Sequence, residues 1–75
     1  MVMELVLIRA PGRLQWDIVD RAKKMRGVVD AYPVFGRFDI VVLIKGRDFK
    51  EIAGVAAKVA SVEGVRSSET LPESD

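Results

Sequence analysis

The chain contains neither cysteine nor histidine. The first absence removes disulfide staples, and the two together remove the usual zinc ligands and the usual neutral-pH general base. No catalytic, metal or cofactor chemistry is expected. Asparagine is also missing and glutamine occurs once, at Gln15, whereas charged residues and valine are plentiful. Thermophile proteins lean that way, an expectation that a mesophilic melting point would remove. Met1 to Leu5 has no basic n-region, and no apolar run approaches the roughly 20 residues that span a bilayer. A cytoplasmic protein with no membrane contact is expected. The net charge is only +1 and the 12 Lys and Arg are scattered, whereas autonomous nucleic-acid binders gather positive charge on one face. Direct nucleic-acid binding is therefore not expected. Only Arg21 to Arg26 is locally basic, and it ends a helical pattern, where cations favourably meet the macrodipole.

What the chain does contain is a pattern written twice. Arg26-Gly27-Val28 and Glu63-Gly64-Val65 each end a helical pattern and begin an extended one, thirty-seven residues apart. Around them Leu5, Val6 and Leu7 fall opposite Val42, Leu43 and Ile44. Ile18 then falls opposite Val55, Ala22 opposite Val59 and Met25 opposite Val62. Hydrophobic character repeats more than identity, so this is a structural pseudo-repeat of a βαβ unit. A chain of 75 residues buries only about 60% of its unfolded surface, which makes it one domain with a small core.

Met3 to Ile8 reads as a strand, and Ala10-Pro11-Gly12 interrupts it before a 3.6-residue period begins. Leu14, Ile18, Ala22 and Met25 line one face of a first helix. Asp17 and Arg21, and Asp20 and Lys24, stand in the favourable i,i+4 order on the other. Gly27 stops that helix. Val28 to Phe35 is a second strand, Gly36-Arg37 a tight turn, and Phe38 to Lys45 a third strand. Asp48-Phe49-Lys50-Glu51 has capping-box character, and Ile52, Val55, Ala56, Val59 and Val62 form the second helical stripe. Val65 to Leu71 is a last, polar strand, and Pro72 to Asp75 a tail.

The order βαββαβ with right-handed crossovers predicts an α+β, ferredoxin-like antiparallel sheet in the order 4-1-3-2. The central strands are the continuous apolar runs, and the predicted edges carry Asp30, Pro33, Ser67, Ser68 and Glu69. Two helices cover one face of such a sheet, yet strands one and three are apolar on both. The uncovered patch is expected to be either Val6, Ile8, Val41 and Leu43, or Leu5, Leu7, Val42 and Ile44, and to pair two copies sheet to sheet.

Gly27-Val28, Ala31-Tyr32, Gly36-Arg37-Phe38-Asp39, the apolar strand after it and Gly64-Val65-Arg66-Ser67-Ser68-Glu69-Thr70 together resemble the effector-binding domain of the Lrp/AsnC transcription regulators, the RAM domain. The sharpest signatures are Gly-x-x-Asp in the hairpin and Gly-Val-x-x-Ser-x-Thr in the last strand. The resemblance covers nearly the whole of residues 1–75 as a single RAM domain. Family members normally begin with a helix-turn-helix domain, for which there is no room here, so the chain is similar to the stand-alone RAM proteins of archaea and some bacteria. The resemblance implies a dimeric αβ sandwich assembling into higher even-numbered oligomers, with an amino-acid effector bound between dimers. It carries Gly36 and Asp39 onto the hairpin motif, and Ser68 and Thr70 onto the paired Thr positions of the last strand. Phe35 stands where the family often has a small hydroxyl residue, which puts ligand preference in doubt.

Such a site must satisfy a carboxylate and an ammonium removed from water. Backbone N–H groups at Gly36, Arg37 and Phe38 are candidates for the carboxylate, Asp39 for the ammonium, and Ser68 and Thr70, on one face of a strand, for the remaining hydrogen bonds. The residues alone also fit a plainer reading, in which Gly36 supplies a positive φ and Asp39 bonds its own turn. Trp16 and Tyr32 read as partial core or interface packing. Small αβ-barrel enzymes share this topology, but no polar residue interrupts the apolar runs Leu5 to Ile8 and Ile40 to Ile44 at the centre of the sheet and no phosphate loop appears, so a non-enzymatic module is expected. Two functions remain: a module that senses an amino acid, and a ligand-free assembly partner that modulates a full-length Lrp/AsnC regulator by joining its oligomer.

Overall fold

The computed structural model describes residues 1–72, with the last three residues of the predicted tail outside them. The elements run β1 (Val2–Arg9), a 3-10 turn (Gly12–Leu14), α1 (Gln15–Lys23), β2 (Val28–Pro33), β3 (Ile40–Gly46), α2 (Phe49–Ala60) and β4 (Ser67–Pro72). The four strands form one antiparallel sheet in the order β2-β3-β1-β4, the ferredoxin-like arrangement expected from the element order. Pro72, placed in the tail by its sequence, is the last residue of β4.

The pseudo-repeat survives at the level of individual hydrogen bonds. After α1, Met25 N–H donates to Ala22 C=O and Val28 N–H to Met25 C=O; after α2, Val62 N–H donates to Val59 C=O and Val65 N–H to Val62 C=O. Each donor and acceptor is offset by the same thirty-seven residues. Gly27 and Gly64 stand at φ +92° and +99°, where a residue with a Cβ is strained. They redirect the chain four residues beyond the last helical residue of each half.

The register decides which apolar residues face the helices. Val6 pairs with Val42 and Ile8 with Ile40, and these, with Ile44, are completely buried beneath Ile18, Val19, Ala22 and Val59. Leu5 pairs with Leu43 and Leu7 with Val41 on the opposite face. Both patches expected from the sequence are therefore corrected, since each drew one strand's residues from the covered face and the other's from the open face. Directly paired residues share a face, so the open patch is Leu5, Leu7, Val41 and Leu43, extended by Leu71 opposite Leu5 and Tyr32 opposite Val41. Leu5 and Leu71 are 36% and 41% exposed.

Asp48 caps α2, its carboxylate accepting from Glu51 N–H at 2.9 Å. The reciprocal arm is shifted by one residue: Glu51 accepts from the Arg47 N–H at 3.2 Å rather than from that of Asp48, and from the Arg47 guanidinium at 3.0 Å. On α1, Asp17 and Arg21 close at 3.2 Å, whereas Asp20 and Lys24 do not pair.

Candidate functional site

At one pole of the sheet the β2–β3 connection carries Gly36, Arg37, Phe38 and Asp39. Predicted as the first residues of a strand, Phe38 and Asp39 lie instead in the connection, and β3 begins at Ile40. The cause is Asp39, whose polar groups are committed to three separate segments. Its N–H donates to Ile8 C=O at 2.8 Å, holding the connection to the end of β1. Its C=O accepts from Val34 N–H at 2.9 Å and from the Gln15 side-chain amide at 2.6 Å, which also reaches Val34 C=O at 3.2 Å. Its Oδ2 accepts from Ala10 N–H at 2.9 Å. The carboxylate does not bond its own turn, as the plainer sequence reading held, but an amide twenty-nine residues away. The other oxygen, Oδ1, accepts no hydrogen bond from the described residues.

Gly36 stands at φ +116° with open space where a Cβ would be, so the requirement there is conformational and not steric. Phe35 beside it is 93% exposed, and Trp16, adjacent to Gln15, is 63% exposed. Phe38 lies under the Arg9 guanidinium, 5.4 Å from ring centroid to Cζ, in the range of a cation–π contact.

Ser68 and Thr70 share a face of β4, as their spacing requires: they pair with Ile8 and Val6, both of which point to the helix side. Both hydroxyl residues are exposed at the sheet edge. They do not meet the hairpin within one chain. β1 lies between β3 and β4, and two strand spacings amount to roughly 10 Å. Ser68 stands nearer the hairpin pole, opposite Ile8, and Thr70 one pleat further away.

Two participants escaped the sequence reading. Gln15, visible only as the single glutamine, staples the start of α1 to both sides of the hairpin. Arg9 closes over Phe38. Both contacts join residues far apart in sequence and leave no local signature.

The sequence model of the Lrp/AsnC ligand binding domain matches residues 5–72. The chain belongs to that family. This ligand-binding domain is similar over its whole length to a Thermus thermophilus protein of known crystal structure, at 30% identity and a TM-score of 0.91, covering 95% of that chain. A hypothetical protein from Pyrococcus horikoshii shares the fold at 18% identity and a TM-score of 0.88, with 100% of this chain and 92% of that one covered. E. coli AsnC shares it at 18% identity and a TM-score of 0.88; the match takes in 99% of this chain and 51% of that regulator. No curated protein matches the sequence. Family membership assigns the domain to the regulatory, effector-binding class.

Proposed function

We propose that this domain binds a free amino acid at the hairpin pole and works as a regulatory module that assembles with copies of itself, without catalysing a reaction. The observation that carries the reading is the divided Asp39 carboxylate: Oδ2 is fixed on the Ala10 amide while Oδ1, three residues along the chain from the positive-φ Gly36, accepts no hydrogen bond from the described residues. An ammonium would meet a charged acceptor held in place by the fold, and the turn amides of Gly36, Arg37 and Phe38 are close enough in sequence to receive the carboxylate. Ser68 and Thr70 would complete the hydrogen bonds from another copy, since β1 separates them from their own hairpin. The open patch of Leu5, Leu7, Val41, Leu43 and Leu71, ringed by Arg9, Lys45 and Glu69 on the same face, has the apolar centre and polar rim of a protein interface. It supports a homodimer packed sheet to sheet, with the poles left to join dimers into higher even-numbered assemblies.

The second reading is a ligand-free partner that joins the oligomer of a full-length Lrp/AsnC regulator. It is favoured by the 93% exposure of Phe35, an apolar contact surface where a ligand would need a polar group. Native mass spectrometry, alone and with a mixture of the common amino acids, separates the two. An even-numbered assembly gaining one amino-acid mass per subunit or per pair is the result expected; an assembly unliganded at millimolar amino acids would leave the scaffold.

A further inference from the structure

Beginning at the pole opposite the hairpin, about 20 Å away along β3, the turn after α1 at Arg26 and Gly27, Arg47 ahead of α2, and one face of α2 from Glu51 to Lys58 line an open groove of about 500 Å³. Its charged lining is Arg26, Arg47, Lys58 and Glu51. Three cations against one carboxylate give it a net of two positive charges, more than the +1 of the entire chain. Glu51 is already engaged by Arg47 at 3.0 Å, and the neighbouring Asp48 carboxylate is turned to the Glu51 amide, so neither is directed at Arg26 or Lys58.

The floor of the groove is unusual. Glu51, Gly54, Val55 and Lys58 follow the i, i+3, i+4, i+7 spacing of one helix face, and Gly54 sits in the middle of α2. A glycine in a helix interior costs about 1 kcal/mol against alanine. No neighbour forbids that alanine, since a Cβ at position 54 would find nothing within 4 Å. Gly27, by contrast, is held by its φ and by Val55 Cγ2, which a Cβ would approach to 2.6 Å. Position 54 is thus bare for no reason internal to the fold, and the bare backbone lies between the cations.

We propose that this groove binds a phosphate monoester with an organic body, the phosphate held by Arg26, Lys58 and the free face of the Arg47 guanidinium, and the body seated against the backbone at Gly54. A monoester carries a charge near −2 at neutral pH, matching the net charge of the lining. Guanidinium groups pair bidentately with its oxygens. The volume falls in the range of small-molecule sites and exceeds what inorganic phosphate alone would fill. The groove lies in the helix layer, so a copy packed on the open sheet face leaves it accessible.

The test is a titration of the full chain with AMP, inorganic phosphate and adenosine, read by amide NMR shifts. AMP is expected to move the amides of Gly27, Arg47, Gly54 and Val55 with a submillimolar Kd, at least tenfold tighter than inorganic phosphate, and adenosine to move none. Arg26→Gln and Lys58→Gln, both at exposed positions, should each weaken AMP at least tenfold. Gly54→Ala should weaken it similarly while raising the melting temperature, an outcome that loss of folding cannot imitate. Three results would overturn the proposal: shifts spread over lysines and arginines across the surface, a Gly54→Ala variant that binds AMP unchanged, or a single-stranded oligonucleotide that binds the groove more tightly than AMP. Amino-acid binding at the hairpin is independent of all three variants, so this site and the proposed effector site fail or stand separately.

Discussion

Asp39 is both a scaffold residue and the proposed ammonium acceptor, and the two duties reside on different oxygens. Removing the side chain in Asp39→Ala strips the acceptor from the Ala10 amide, so it should destabilise the domain by about 1–3 kcal/mol and cannot by itself distinguish a ligand role. Asp39→Asn keeps a carbonyl oxygen for Ala10 and removes the charge. It is expected to melt within a few degrees of the parent and to lose amino-acid binding at least tenfold, measured by calorimetry on the same samples. The positive-φ glycines make a second pair of comparisons. A Cβ at Gly64 would come within 2.7 Å of Leu14 Cδ1, whereas at Gly36 it would meet nothing within 4 Å. Gly64→Ala should therefore cost more than Gly36→Ala, which pays only for its φ, on the order of 1 kcal/mol; urea midpoints of the two variants give the order directly.

The elements themselves were largely legible. Ile18 and Ala22 on one helix, Val55 and Val59 on the other, are buried as their 3.6-residue period requires, and Asp48 caps α2 as its spacing before Ile52 suggests. Asp48→Ala should cost about 0.5–2 kcal/mol, while Arg47→Ala should cost less, because its ion pair with Glu51 is exposed; thermal melts of both check the order. What the sequence could not show was held in contacts between elements. Which apolar set of β1 faces the helices depends on how β1 registers against β3, and a choice of parity made strand by strand mixed the two faces. The same holds at the hairpin, where Ala10, Gln15 and Asp39 meet across segments whose local patterns say nothing of one another. The start of β3 moved for the same reason: Asp39 is drawn into cross-links to Ile8 and Val34 instead of the ladder.

For the molecule as a whole, the helices leave one sheet face bare and apolar at Leu5, Leu7, Val41 and Leu43. Leu43→Lys places a charge in the middle of that face without touching the helix-side core. It is expected to yield a folded monomer in light scattering, with a melting temperature that no longer rises with protein concentration as a dimer's does. A dimer unchanged by Leu43→Lys would place the association surface elsewhere.

The two outer strands bear on how this domain behaves when crowded. β2 ends in a proline and is broken by a bulge between Val28 and Asp30, while β4 offers Ser67, Ser68, Glu69 and Thr70 along its outer margin. A margin so interrupted and polar is a poor template for a further strand. Lateral growth by strand addition is disfavoured at both margins, which leaves the apolar sheet face and the poles as the places for contact between copies. Concentrated solutions should therefore stay clear and free of strand-stacked fibres where a domain with smooth apolar margins would gel.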